Sequence, residues 1–197
     1  ALASLAAQGD KAQAKEARQF RDLIRTEVAR CERIVRFLLD SSRPSTDARA
    51  DLAETVGLAL RLLERHPSFA RIRVRSSVAK ALPPARIDAD SLKQVVMALA
   101  VNGSQAMTSG GTLTVRAARG EKRTLVLDVT DTGAPVPVER RAQIFEPFAT
   151  ADAQRGAGLG LAVARSLLRS RGGDLVYRPR KGGNAYRVVL RAASGKA

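Results

Sequence analysis

A single cysteine in 197 residues excludes an internal disulfide framework, and Cys31 alone fits a reducing cytoplasm. Aromatic residues are also scarce, at 4%, and none interleaves with the arginines as a base-stacking platform would. No apolar run approaches the roughly 18 residues that a membrane-spanning helix needs, so no membrane contact is expected of this stretch. The first residues, ALASLAAQGDKAQ, lack the basic start and long apolar segment of a secretory leader. Acidic side chains are few beside the basic ones: 34 Lys and Arg against 19 Asp and Glu leave a net charge of +15. Such an excess suits nucleic acid, an anionic membrane or an acidic protein, or else a surface solubilised by arginine. Its distribution favours the surface reading. Arg71, Arg73 and Arg75 alternate with Ile72 and Val74, as on the outer face of a half-buried strand. The basic residues from Arg178 to Lys196 are spread over two strand-like segments and a tail. No nucleic-acid partner is expected.

What is present is a folding chain. Hydrophobic residues make up 45%, enough for one domain with a real core plus a smaller element. Residues 14–41 are rich in helix formers, and Ile24, Val28, Cys31, Val35 and Leu38 repeat at alternating spacings of four and three. That seam is a bundle or coiled-coil register, in which Cys31 is a small core residue. The segment ALASLAA reads as the end of a partner helix, so residues 1–43 are expected to be the remnant of a helical hairpin.

SSRPSTD, residues 41–47, is a linker in which Pro44 stops one helix and Ser45 or Thr46 can cap the next. Helices are then expected over 47–65, 89–107, 137–144 and 160–171, and strands over 71–77, 111–118, 123–130, 174–179 and 184–191. Antiparallel strand pairs covered by helices give an α+β fold, a two-layer α/β sandwich.

Three stretches carry candidate chemistry. In DADSLKQVVMALAVNGSQAM, Leu92, Val95, Val96 and Leu99 share one helical face, while Ala98, Asn102, Gln105 and Ala106 share another that is small and polar. Asn102 is a mediocre helix former, either simply exposed or placed as an amide oxygen ligand for magnesium beside phosphates. In LVLDVTDTGAPVP a strand ends at Asp131 before a turn containing Gly133. That is an ordinary turn, or a carboxylate placed to accept a purine amino group where glycine lets the base approach. In RGAGLGLAVARSLLRSRGG, Gly156, Gly158 and Gly160 precede an apolar-periodic run. They are a loose surface loop, or a cradle that delivers phosphates to a helix N-terminus. The stretch matches neither the dinucleotide fingerprint nor the P-loop.

Their order is more specific than any one of them. The Asn-bearing helix, the Asp-x-Gly turn, IFEPFAT and GxGLGL before a helix closely resemble the catalytic and ATP-binding domain of sensor histidine kinases, of the ATPase superfamily shared with gyrase. The likeness covers residues 46–191 and includes LKQVV, RAQIFEPF, RSRGGDLVY and GGNAYRVVL. EVARCERIVRFLLDSSRP resembles the second helix of the family's dimerisation and phosphotransfer hairpin. The resemblance implies a catalytic and ATP-binding domain over 46–197, with ATP and magnesium ion (Mg2+) as cofactors. It implies Asn102 as magnesium ligand, Asp131 as the adenine-reading carboxylate and Gly133 in the adenine turn. Gly156, Gly158 and Gly160 become the phosphate-covering lid and helix start, anchored by Leu159 and Leu161. Gln105 shares the ligand-facing side of the helix, and Arg155 either reaches a γ-phosphate or is one more surface arginine.

The implied activity is transfer of the ATP γ-phosphate to a histidine, and thence to an aspartate of a response regulator, by a cytoplasmic homodimer. The phosphoacceptor is expected upstream of Ala1, so no residue here is assigned a catalytic role and this segment alone is not expected to phosphorylate itself. His66 is the only histidine and sits in ERHPSF, a turn beyond the linker. Ala98 stands where the family has a first asparagine and gyrase-like relatives a glutamate, Pro135 replaces the second glycine of the adenine turn, Ala185 takes a threonine position, and Asp152 replaces a lysine beside the lid. These departures bear on nucleotide affinity, not on the fold, and leave a non-catalytic interaction module with the same fold as the alternative.

Overall fold

The computed structural model describes Arg21, residues 48–149 and residues 158–193. The chain divides into two units, Ala1–Asp40 and Ser41–Ala197, and the fold described is that of the second. The seam from Ile24 to Leu38, the linker residues 41–47, and Asp152, Arg155 and Gly156 lie outside the described residues.

Helix α1, Leu52–Glu64, starts later than its periodicity suggests, because Asp51 supplies the cap: its carboxylate accepts the Glu54 N–H at 2.9 Å. Leu52, Val56, Ala59, Leu60 and Leu63 form its buried stripe. A 3-10 turn, Pro67–Phe69, leads into strand β1, Ile72–Val78. Helix α2, Ala89–Ala106, opens at Asp88, whose side chain accepts the Ser91 N–H at 2.8 Å. Strands β2, Gly111–Arg119, and β3, Thr124–Asp131, follow. After a loop come helix α3, Gly160–Arg169, and strands β4, Asp174–Arg180, and β5, Gly183–Arg191.

The five strands form one sheet in the order β1-β2-β3-β5-β4. The expectation of antiparallel pairs throughout is corrected at one edge. β1 runs parallel to β2, from Ile72 beside Gly111 to Val78 beside Ala117, since α2 intervenes as a crossover rather than a tight turn. The other three pairs are antiparallel. The helix expected over 137–144 is also corrected. Only the 3-10 turn Val138–Arg140 forms there, because none of its residues is buried and a short helix without a packed face does not persist.

Alternation decides the layers. Leu113, Val115, Leu125, Leu127, Val129, Val188 and Leu190 point to the helical side and are buried, together with Leu92, Val95, Val96 and Leu99 of α2 and Leu168 of α3. The opposite face of the sheet carries exposed Arg73 and Arg75 on β1 and a bidentate ion pair between Arg187 and Asp128, both contacts at 2.6 Å. The arginines of β1 therefore sit on the outer face. Asp174, at the start of β4, accepts from Arg165 and Arg169 at 3.1 and 3.0 Å and so holds α3 against the sheet edge.

Candidate functional site

The C-terminal half of α2, the end of β3 and the start of α3 converge on one place. Asn102 is half-buried there, and its amide Nδ2 donates to the Tyr186 hydroxyl on β5 at 2.9 Å. Tyr186 is 1% exposed. Burial, with smaller contributions from Asp131 and Tyr177, pushes its phenol well above the ordinary tyrosine range against the opposing Asn102 bond, so the hydroxyl stays protonated. Gln105 lies one turn further along α2 and is half-buried.

Asp131 is only 2% exposed although it is ionisable. Its Oδ1 accepts the Gly133 N–H and the Asn184 Nδ2, each at 2.9 Å. Burial raises its pKa above the ordinary carboxylate range, and the bonds from Asn184 and Gly133 only partly offset this. Its Oδ2 lies beside Gly103 of α2, at 3.4 Å from where a Cβ on that glycine would sit. The carboxylate therefore has one oxygen tied into the fold and one turned along the helix that carries Asn102.

Asn184 stands directly opposite Asp131 in the β3–β5 register and is 1% exposed. Its Nδ2 also donates to the Ala134 carbonyl at 3.0 Å, and its Oδ1 accepts from the Val136 N–H and the Tyr177 hydroxyl, both at 3.0 Å. That uses all four hydrogen-bonding capacities of the amide. The turn after Asp131 is thus pinned from the side, although Pro135 can neither donate a hydrogen bond nor adopt a positive φ. The Ala134 N–H reaches the Ala106 carbonyl at 3.0 Å, and the Arg141 Nε reaches the Val136 carbonyl at 3.1 Å. Gly133 is required by contact, since a Cβ there would lie 2.6 Å from the Ala106 backbone.

At the start of α3, Gly158 has φ of +63°, a left-handed conformation that favours glycine. Leu159 and Leu161 are buried and fix the first turn, while a Cβ on Gly160 would lie 3.7 Å from the Ala98 Cβ. Among the described residues no side chain caps this helix start, whose first N–H groups favour an anion. The Arg165 guanidinium lies 4.7 Å over the Phe145 ring, joining α3 to the IFEPF loop.

The described candidates thus fall around α2: Asn102 and Gln105 on it, Asp131 and Gly133 against it, and Gly160 facing Ala98. Asn184, Tyr186 and Tyr177 join the site beyond the residues that the sequence singles out, which in GGNAY is Ala185 alone. The signal was Asn184 itself. Asparagine is depleted in strands, and a buried one needs partners.

Residues 87–194, more than half of the chain, match the family described as histidine kinase-, DNA gyrase B-, and HSP90-like ATPase. The chain belongs to this family. Its described fold is the α+β ATP-binding domain of that family. The sensor histidine kinase ZraS of Escherichia coli K12 is 30% identical over 89% of this chain and 38% of its own length. The chain thus spans well under half of that curated relative. The catalytic domain of the histidine kinase ThkA has a TM-score of 0.66 at 23% identity, covering 74% of this chain and 95% of that one. ThkA in complex with the response regulator protein TrrA has a TM-score of 0.69 at 22% identity, covering 87% of this chain and 50% of that one. Both structures share the fold. Among the described residues no helix is long and apolar enough to cross a membrane, and no group of three or more His, Cys, Asp or Glu could hold a metal ion.

Proposed function

We propose that residues 46–197 are the ATP-binding core of a cytoplasmic sensor histidine kinase, which presents the ATP γ-phosphate to a histidine that these 197 residues do not contain. The observation that carries this reading is the Asp131 carboxylate, buried at the end of β3 with Oδ1 held by Gly133 and Asn184. Its remaining oxygen suits the exocyclic amino group of adenine, and the glycine at 133 lets the turn that follows lie against Ala106. Phosphates would then extend toward the start of α3 at Gly158 and Gly160, with Gly156 and Arg155, outside the described residues, as further candidates for the lid.

Asn102 fits magnesium through its Oδ1, because its Nδ2 is already engaged by Tyr186. With one protein oxygen, the remaining ligands would be phosphate and water oxygens. Magnesium there would supply neutralisation of phosphate charge. The residues of this chain otherwise bind and orient, which is most of what phosphoryl transfer asks of a protein.

His66 does not suit the acceptor role. It is exposed at the start of a 3-10 turn, with its Nδ1 accepting the Ser68 N–H at 3.3 Å. The acceptor we propose lies on a helical hairpin to which residues 1–43 contribute, paired as a homodimer along the Ile24 to Leu38 seam. Onward transfer to the aspartate of a response regulator follows the partner class seen with ThkA. Titration with a fluorescent ATP analogue tests the reading: saturable, magnesium-dependent binding supports it, and no binding favours a non-catalytic interaction module.

A further inference from the structure

An asparagine amide can serve a cation only with one of its two ends. The carbonyl oxygen is a hard ligand, whereas the amide nitrogen carries two protons and repels a cation. The two ends have nearly the same shape, so packing alone does not choose between them. At Asn102 the Tyr186 hydroxyl accepts from Nδ2 at 2.9 Å, which leaves Oδ1 for a cation, and with a cation on Oδ1 this hydroxyl is the partner that keeps the other end of the amide in place. This hydroxyl is fixed in turn. The Tyr186 ring is buried on β5 with its centroid 5.3 Å from that of Tyr177, and its side chain is 1% exposed.

We infer that Tyr186 is a positioning residue for the metal site: by holding Nδ2 of Asn102 inside the fold it turns Oδ1 outward to the cation. This rests on the reading of Asn102 as the magnesium ligand. The residue acts through Asn102 and need not touch nucleotide or metal. Partners that orient a ligand in this way commonly matter about as much as tenfold to a hundredfold in metal affinity.

The test compares binding of a non-hydrolysable ATP analogue with magnesium and with chelator, measured by calorimetry on the whole chain. Tyr186→Phe keeps the ring and removes only the hydroxyl. We expect it to lower the magnesium-dependent gain in affinity by about tenfold and to change the metal-free affinity less than about twofold. Adding Asn102→Asp to Tyr186→Phe should restore the gain, since either carboxylate oxygen can face the cation and no orienting bond is needed. Arg75→Gln, on the exposed outer face of the sheet, should leave the gain unchanged. Asn102→Ala separates the two layers of the inference. If it abolishes the gain while Tyr186→Phe does not, the positioning role is overturned and the metal reading stands. If Asn102→Ala leaves the gain intact, the metal reading fails and the inference with it. Collapse of metal-free binding in Tyr186→Phe, or no rescue by Asn102→Asp, would make the hydroxyl merely structural and overturn the positioning role.

Discussion

Asn184 and Asp131 face each other across β5 and β3, with the amide Nδ2 2.9 Å from the carboxylate Oδ1. The same amide holds Ala134, Val136 and Tyr177, so the acid and the turn that follows it are one hydrogen-bonded unit. Asn184→Ala should therefore do two things at once. It leaves buried partners unsatisfied, which costs about 2–4 kcal/mol of stability, readable as a shift in the urea midpoint. It also frees the carboxylate to rotate, so adenine nucleotide affinity should drop with it. Full stability in this variant would show that the amide is not needed to hold the turn.

Asp131→Asn separates binding from stability. The Oδ1 bonds to Gly133 and Asn184 can persist, but the charged acceptor is lost. Adenine nucleotide affinity should weaken by about tenfold or more, because hydrogen bonds to charged groups are worth about 1.5–3 kcal/mol. Stability should move the other way. Burial raises the pKa of Asp131 in the folded state, so its contribution is fully present below the unfolded value and is lost as pH rises through the folded value. At neutral pH the native chain should thus be less stable than Asp131→Asn, with the gap closing as pH falls toward about 4 and absent below it. Thermal melts across pH check the sign. A variant less stable than the native chain at neutral pH would contradict it.

Steady ATP hydrolysis should be near background. The gyrase-like position of a general base is Ala98, which can transfer no proton and packs instead opposite Gly160 at the start of α3. Phosphate release should match a protein-free control. Release well above it and abolished by Asn102→Ala would show that another residue activates water.

The elements most legible in the sequence were those whose side-chain period matched one buried face. Leu92, Val95, Val96 and Leu99 marked α2, and the alternation through Leu125, Leu127 and Val129 marked β3. Pairing direction was not legible, because the chain from β1 to β2 passes through a helix and local pattern does not encode which way a strand returns. Residues 137–144 read as helix because their composition allows one, but no buried face supports it. At the site, Asn102, Asp131 and Gly133 stood out because an asparagine inside a helix, an acid ending a strand and a glycine in a turn each ask for a reason. Asn184 and Tyr186 did not. Their roles depend on cross-strand register and on reaching α2, which only the folded chain brings together.

The proposed activity is transfer of the ATP γ-phosphate to a histidine that these 197 residues do not contain. The direct measurement is incubation with γ-radiolabelled ATP and magnesium, followed by an acid-lability assay for phosphohistidine. It is made on the 197-residue chain alone and again with a histidine-bearing helix joined ahead of Ala1 to complete the hairpin. No label is expected on the chain alone, even when saturated with ATP, and acid-labile label is expected once the histidine-bearing helix is present. Acid-labile label on the chain alone that disappears in His66→Ala, or a hairpin-bearing protein that binds ATP yet stays unlabelled, would contradict the proposed activity.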